Sequence, residues 1–300
     1  MRLFATYSLI TLFGCLSGCD SVSTDTEPSV VVEAYLEAGA SFGQVRLSRT
    51  IGIDQRYDST SAAVRNADVQ VRRLGDDGTV EEVIPYAERQ TQPGVYRTLA
   101  GPIVQPFTTY ELMATIPEAG GVVRARTIVP GSFDVIEAGP DTVEYQGPRQ
   151  VEVLTTRSMY PGRQAILVFS TESLEPAIEA LTPFYRDVVD DGDEDDLKDY
   201  LINESPPLNE DGYQIDESGH LRVKVPWLAF AFYGQNRLRM NAIDDNLFDF
   251  VRSQNVQQGG STLAPGEIPD VIDHIEGGTG VFGSYARVAV SVTVLRSASD

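Results

Sequence analysis

Seven short stretches of alternating apolar and polar residues, spaced as hairpins between residues 29 and 130, constrain this chain more than any other feature. A period of two puts every second side chain on one face of an extended strand. VVVEAYL (30–36) and QVRLS (44–48) open the series. In ADVQVRRL (67–74), Val69 and Val71 share one face, and Gln70 and Arg72 the other. Gly75-Asp76-Asp77-Gly78 is a turn, and TVEEVIPY (79–86) reads as its hairpin partner. GVYRTL (94–99), TYELMATI (109–116) and VVRARTIV (122–129) continue the pattern without a helical interruption. Such strands bury one face each, so the expectation for 29–130 is a small β-sandwich of immunoglobulin-like or transthyretin-like topology.

Pro130-Gly131 is the expected boundary, because the patterning becomes mixed beyond it. Residues 131–300 are expected to form a second, β-rich α+β domain with a few helices. VEVLTT (151–156) and AILVFST (165–171) read as strands; 174–181 and 187–202 read as partly helical. The stretch 220–234 reads as one extended segment covered on both faces, with Trp227 and Tyr233 on one and Phe230 and Phe232 on the other. DNLFDFV (245–251) predicts a short helix and SYARVAVSVTVLR (284–296) a closing strand.

The N-terminus, MRLFATYSLITLFGCLSGCD, has a positive Arg2, then an apolar stretch too short to span a bilayer comfortably. It ends in Leu16-Ser17-Gly18-Cys19, which resembles a bacterial lipobox: an aliphatic residue, two small ones, then the cysteine that receives diacylglycerol. Residues 1–18 are therefore expected to be a signal peptide, with lipidation at Cys19 and a flexible tether over 19–28. The only other cysteine, Cys15, lies in the removed segment, so Cys19 has no partner for a disulfide. Asp20 is compatible with inner-membrane retention in one sorting scheme and with surface export in another.

A formal net charge of −21 argues against nucleic-acid binding and against attraction to anionic headgroups. Only Lys198 and Lys224 are lysines among 23 basic residues. Salt adaptation and a GC-rich codon bias both account for that.

Candidate sites are few. Gly278, Gly280 and Gly283 match GxGxxG, but a strand follows where a dinucleotide site needs a helix, so a tight loop feeding the last strand is expected. The acidic run 187–199 carries Asp187, Asp190, Asp191, Asp193 and Asp195, oxygen ligands for a structural calcium ion. It does not fit an EF-hand, since Val189 and Lys198 fall on ligand positions, and a solvated acidic segment is the default. Asp270, Asp273, His274 and Glu276 are close enough in sequence to suggest zinc, without HExxH. His220 stands alone in a polar stretch. Trp227, Phe230, Phe232 and Tyr233 line either a core or a ligand groove. No nucleophile motif is present, and a glycosidase carboxylate pair cannot be picked from 44 acidic residues. No cofactor is expected beyond that calcium.

EPSVVVEAYL, RNADVQVRRL, PGVYRTL, TYELMATI and IEGGTGVFGSYA together resemble the family filed as domain of unknown function 4249. The resemblance implies an outer-membrane lipoprotein that accompanies a TonB-dependent receptor. The expected function is accordingly a non-catalytic accessory binding protein, anchored to the membrane through Cys19, with the receptor as partner and the occupied face open. A two-carboxylate glycan hydrolase and a structural envelope protein are the alternatives.

Overall fold

Alternation becomes burial directly in β1 (Val30–Glu37): Val30, Val32, Ala34 and Leu36 are buried, while Glu33 and Tyr35 face outward. The computed structural model describes residues 28–52, 55–98, 101–117, 121–189, 196–255 and 272–297. Within them the protein is mainly β. The first half continues with β2 (Val45–Arg49), β3 (Asp68–Leu74), β4 (Val80–Arg89), β5 (Gln92–Arg97), β6 (Thr109–Ile116) and β7 (Gly121–Ile128). The β3–β4 turn closes as its sequence demands. Gly75 N donates to Thr79 O at 2.8 Å, and the Asp77 side chain accepts from Thr79 N at 3.0 Å.

The second half holds β8 (Val135–Ala138), β9 (Thr142–Glu144), β10 (Glu152–Thr155), β11 (Ile166–Ser173), α1 (Pro183–Val188), β12 (Ile202–Glu204), β13 (Leu208–Asn209), β14 (Gln214–Ile215), β15 (Leu221–Lys224) and β16 (Gly234–Ile243). It ends with α2 (Asp245–Asn255), β17 (Ile275–Glu276) and β18 (Thr279–Leu295). A large sheet runs β12-β11-β16-β18-β1-β2-β5-β4-β3-β6-β7-β17, and a small one runs β14-β15-β10-β8. Residues of both sheets, among them Val153, Leu167, Val223, Leu238 and Val292, share one core.

The 17-residue strand β18 joins the halves. Its first part pairs in parallel with β1, from Val31↔Thr279 to Glu37↔Tyr285. From Tyr285 onward it pairs antiparallel with β16, as far as Gly234↔Val294. The large sheet therefore continues across Pro130-Gly131. The reading of 131–300 as wholly second-domain is corrected by Ile275 and Phe282, which lie in the core of the first half. Alternation marks a strand and its buried face; it carries no information about which distant strand lies alongside.

A second correction concerns 220–234. Pro226 has no N–H to give a ladder, so β15 stops at Lys224 and Trp227–Ala229 forms a 3-10 turn. Phe230 and Phe232 follow, each fully buried, and Leu228 is left half-exposed at the surface. Of the 174–202 stretch, the described residues before β12 form single 3-10 turns and the short α1. No helix among the described residues is long and apolar enough to cross a membrane.

Candidate functional site

The sequence candidates disperse. Cys19, Asp190, Asp191, Asp193, Asp195 and Asp270 lie outside the described residues. Asp187 is exposed in the last turn of α1. The Asp273 side chain turns toward the start of β18, accepting from the Thr279 hydroxyl and, at 3.2 Å, from Gly280 N. His274 Nε2 lies 2.9 Å from Asp249 Oδ2 on α2, and Glu276 is exposed on β17. His220 closes a turn through Asp216, whose carboxylate accepts from His220 N at 2.8 Å. No group of three or more His, Cys, Asp or Glu placed to hold a metal occurs among the described residues. Gly278, Gly280 and Gly283 serve packing. Gly280 has φ +111°, and a Cβ there would lie 2.1 Å from Val32 O on the neighbouring strand. A Cβ on Gly283 would meet Leu247 Cγ of α2 at 2.4 Å. Phe230, Phe232 and Tyr233 are core residues.

What the structure assembles instead is an apolar cavity of about 280 Å³ on the open side of the second half. It lies between β11, β12 and β13 of the large sheet and β15 with the Trp227–Ala229 turn. Phe169 and Tyr213 form one aromatic wall, ring centroids 5.5 Å apart. Tyr185, Leu208, Val225 and Leu228 also line it. The polar groups within it are largely committed to the protein. The Tyr185 hydroxyl donates to Leu228 O at 2.9 Å and accepts from Asn203 Nδ2. Asn203 Nδ2 also reaches Ala229 O at 3.2 Å, and Thr171 Oγ1 donates to the same carbonyl. These bonds pin β11 and β12 to the turn and keep the mouth in shape. Burial raises the Tyr213 phenol above its usual range, and its hydroxyl has no hydrogen-bond partner among the described residues. Glu204 and Lys224 are the charged groups of the lining. Lys224 Nζ sits 3.8 Å from Glu152, more than half exposed.

A second, polar cavity of about 290 Å³ brings Glu111, Arg124, Arg126, Asn246, His274 and Glu276 together where β7 and β17 meet α2. Glu111, nearly buried, is gripped by Arg126 at 2.9 Å and Arg72 at 3.6 Å. Glu210 is held by Arg157 through Nη2 at 2.6 Å and Nε at 3.1 Å. Asp244 is 1 % exposed at the start of α2. Its carboxylate accepts from Leu247 N at 2.9 Å, an N-cap, and from the Thr127 hydroxyl of β7 at 2.5 Å. The Thr127 and Ser284 hydroxyls are 2.6 Å apart, which carries the network into β18. Burial pushes the Asp244 carboxyl up to about 6 against these two hydrogen bonds.

Sequence reasoning missed the apolar cavity, whose lining comes from segments far apart in the chain. The one usable signal was Phe169, an aromatic two positions after Leu167 on the core-facing side of β11. The Asp244 cap was legible as an aspartate directly before DNLFDFV.

The sequence profile described as "Domain of unknown function (DUF4249)" matches residues 20–289. The chain belongs to that family. No curated protein matches this family member. Among solved structures it is similar to Salmonella alpha-2-macroglobulin reacted with methylamine, at 11% identity and a TM-score of 0.24, over 89% of this chain and 15% of that one. Escherichia coli alpha-2-macroglobulin activated by porcine elastase matches at 12% identity and a TM-score of 0.24, over 90% of this chain and 23% of that one. The chain thus spans less than a quarter of either macroglobulin.

Proposed function

We propose that this protein is a non-catalytic lipoprotein, anchored in the outer membrane through Cys19, that binds a ligand or partner beside a TonB-dependent transporter. The observation that carries this reading is the apolar cavity: most of its polar atoms bond the protein itself, and Glu204 is the one carboxylate of its lining among the described residues. Such a site can hold a molecule but lacks the paired acid and base that bond cleavage needs. The buried carboxylates elsewhere serve ion pairs and a helix cap. The lipobox and the family resemblance supply the membrane and transporter setting.

The rival is a two-carboxylate glycan hydrolase, for which the polar cavity with Glu111 and Glu276 is the specific candidate. Affinity purification of the full-length protein from detergent-solubilised outer membranes tests both. Recovery of a stoichiometric receptor, without turnover of any glycan, is the expected result. Glycan turnover abolished by Glu111→Gln or Glu276→Gln, with no receptor recovered, would replace it with the hydrolase.

A further inference from the structure

The proposed binding role leaves open what the apolar cavity holds, and the inference here rests on that role. We propose that the cavity takes a small ligand with a ring-shaped apolar body and one hydrogen-bonding group, the body lying against Phe169 and Tyr213 and the polar group meeting the Tyr213 hydroxyl.

Size comes first. A volume of about 280 Å³ sits at the lower end of small-molecule sites, enough for a body of one or two fused rings. Shape and surface agree with that. Phe169 and Tyr213 are already tilted together at 57°, an arrangement that leaves ring faces and edges for a third ring to contact. The floor gives a ligand few hydrogen bonds, since Tyr185, Asn203 and Thr171 are spent on Leu228 O and Ala229 O. Any polar group buried against that floor would lose its water without replacement, which selects an apolar body. The Tyr213 hydroxyl differs from them, being without a partner among the described residues. It can donate or accept, and so favours an alcohol, phenol, amine or carbonyl.

An extended peptide adding to the sheet fits less well. The edge strand β12 is three residues long and runs at once into Ser205, Pro206 and Pro207. The prolines offer no N–H, and Ser205 N is already bonded to Phe169 O at 2.8 Å. The ladder available to an incoming strand is therefore very short.

The test uses the full-length protein in detergent, with naphthalene and 2-naphthol as probes, read by probe fluorescence and calorimetry. Both are expected to bind saturably at one site. Leu228→Arg alters an already exposed residue at the mouth, so folding is preserved, and it should weaken both probes roughly tenfold or more. Tyr213→Phe keeps the ring and should weaken 2-naphthol about fivefold while leaving naphthalene unchanged. Phe107→Ala, an exposed aromatic outside this cavity, should change neither. The proposal is overturned if neither probe saturates, if Leu228→Arg binds both as well as the unaltered protein, or if Tyr213→Phe affects both probes equally. Loss of probe binding with the receptor still recovered would overturn this ligand class and leave the accessory role standing. One-site binding without any receptor would support the ligand class and remove the transporter setting.

Discussion

Asp244 is a buried carboxylate that the fold keeps for its geometry at a cost in ionisation. It caps α2, bonds β7 through Thr127 and touches β18 through its own backbone, with Asp244 N donating to Ser284 O at 3.0 Å. Its folded value of about 6 lies above the usual 3.8, so the folded state holds a proton that the unfolded chain has released. Below about pH 4 both states are protonated and the group is neutral to stability. As pH rises from there to about 6 the fold loses stability, by roughly 3 kcal/mol in total, and the loss then levels off. Asparagine also caps helices, and its amide fits the same network if the Thr127 hydroxyl turns to Ser284. Asp244→Asn is therefore expected to match the unaltered protein near pH 4 and to exceed its stability increasingly up to pH 7. Urea unfolding across that range checks it, and parallel pH profiles would refute the assignment. Tyr160 is another strongly affected group of the neighbourhood. Burial first, and then Asp244 and Asp245, hold its phenol far above the physiological range, so it contributes no charge change in this window.

At the scale of elements, β18 decides how the protein unfolds. Its first part completes the first core through Phe282 and its later part the second through Val292 and Val294. Neither half keeps its packing if this strand leaves. Gly280→Ala puts a Cβ 2.1 Å from Val32 O at φ +111°, and the backbone must shift to relieve it, at about 3 kcal/mol or more. Calorimetry should show one transition in both proteins, moved to lower temperature in the variant; two resolved transitions would mean that the halves unfold separately. Much of this level was open to sequence reading. TYELMATI predicts β6 to the residue, because one face is buried and the strand is flanked by partners on both sides. The glycines of 278–283 were expected in a loop ahead of the last strand, but Gly280 and Gly283 lie within β18, paired with Val32 and Tyr35. The parallel pairing of β1 with β18 was not legible, since nearly 250 residues separate Val31 from Thr279 and alternation is silent about partners. The 220–234 stretch misled for a different reason. Apolar residues on both faces need cover, but a buried irregular segment provides it as well as a strand does, and Pro226 tips the choice. The apolar cavity was hidden because it is a gap between sheets, and nothing in any one segment encodes a gap.

For the whole molecule, the proposed lipid anchor and the net charge are the quantities to test. Cys19→Ser should release the protein from the membrane fraction, and mass spectrometry of the unaltered N-terminus should find acylated Cys19; an unmodified N-terminus at Asp20 or beyond would refute the anchor. With 44 acidic residues against 23 basic ones, the folded chain concentrates negative charge that the unfolded chain can spread apart. The nearly buried carboxylates Glu111 and Glu210 already have arginine partners at short range, and added salt screens such pairs little. Exposed carboxylates without arginine partners feel one another across solvent, where salt at about 1 M cuts the screening length to roughly 3 Å. Salt should thus relieve repulsion more than it weakens attraction, and the melting temperature should climb by several degrees between about 0.05 and 1 M sodium chloride. Sodium sulfate at equal ionic strength separates this from general strengthening of apolar burial, which sulfate promotes and chloride does far less. A rise in both salts, most of it complete by a few tenths molar, marks screening. A flat or falling response in chloride would mean that the acidic surface is tolerated and not salt-adapted, and would leave codon composition as the reason that Lys198 and Lys224 are the only lysines.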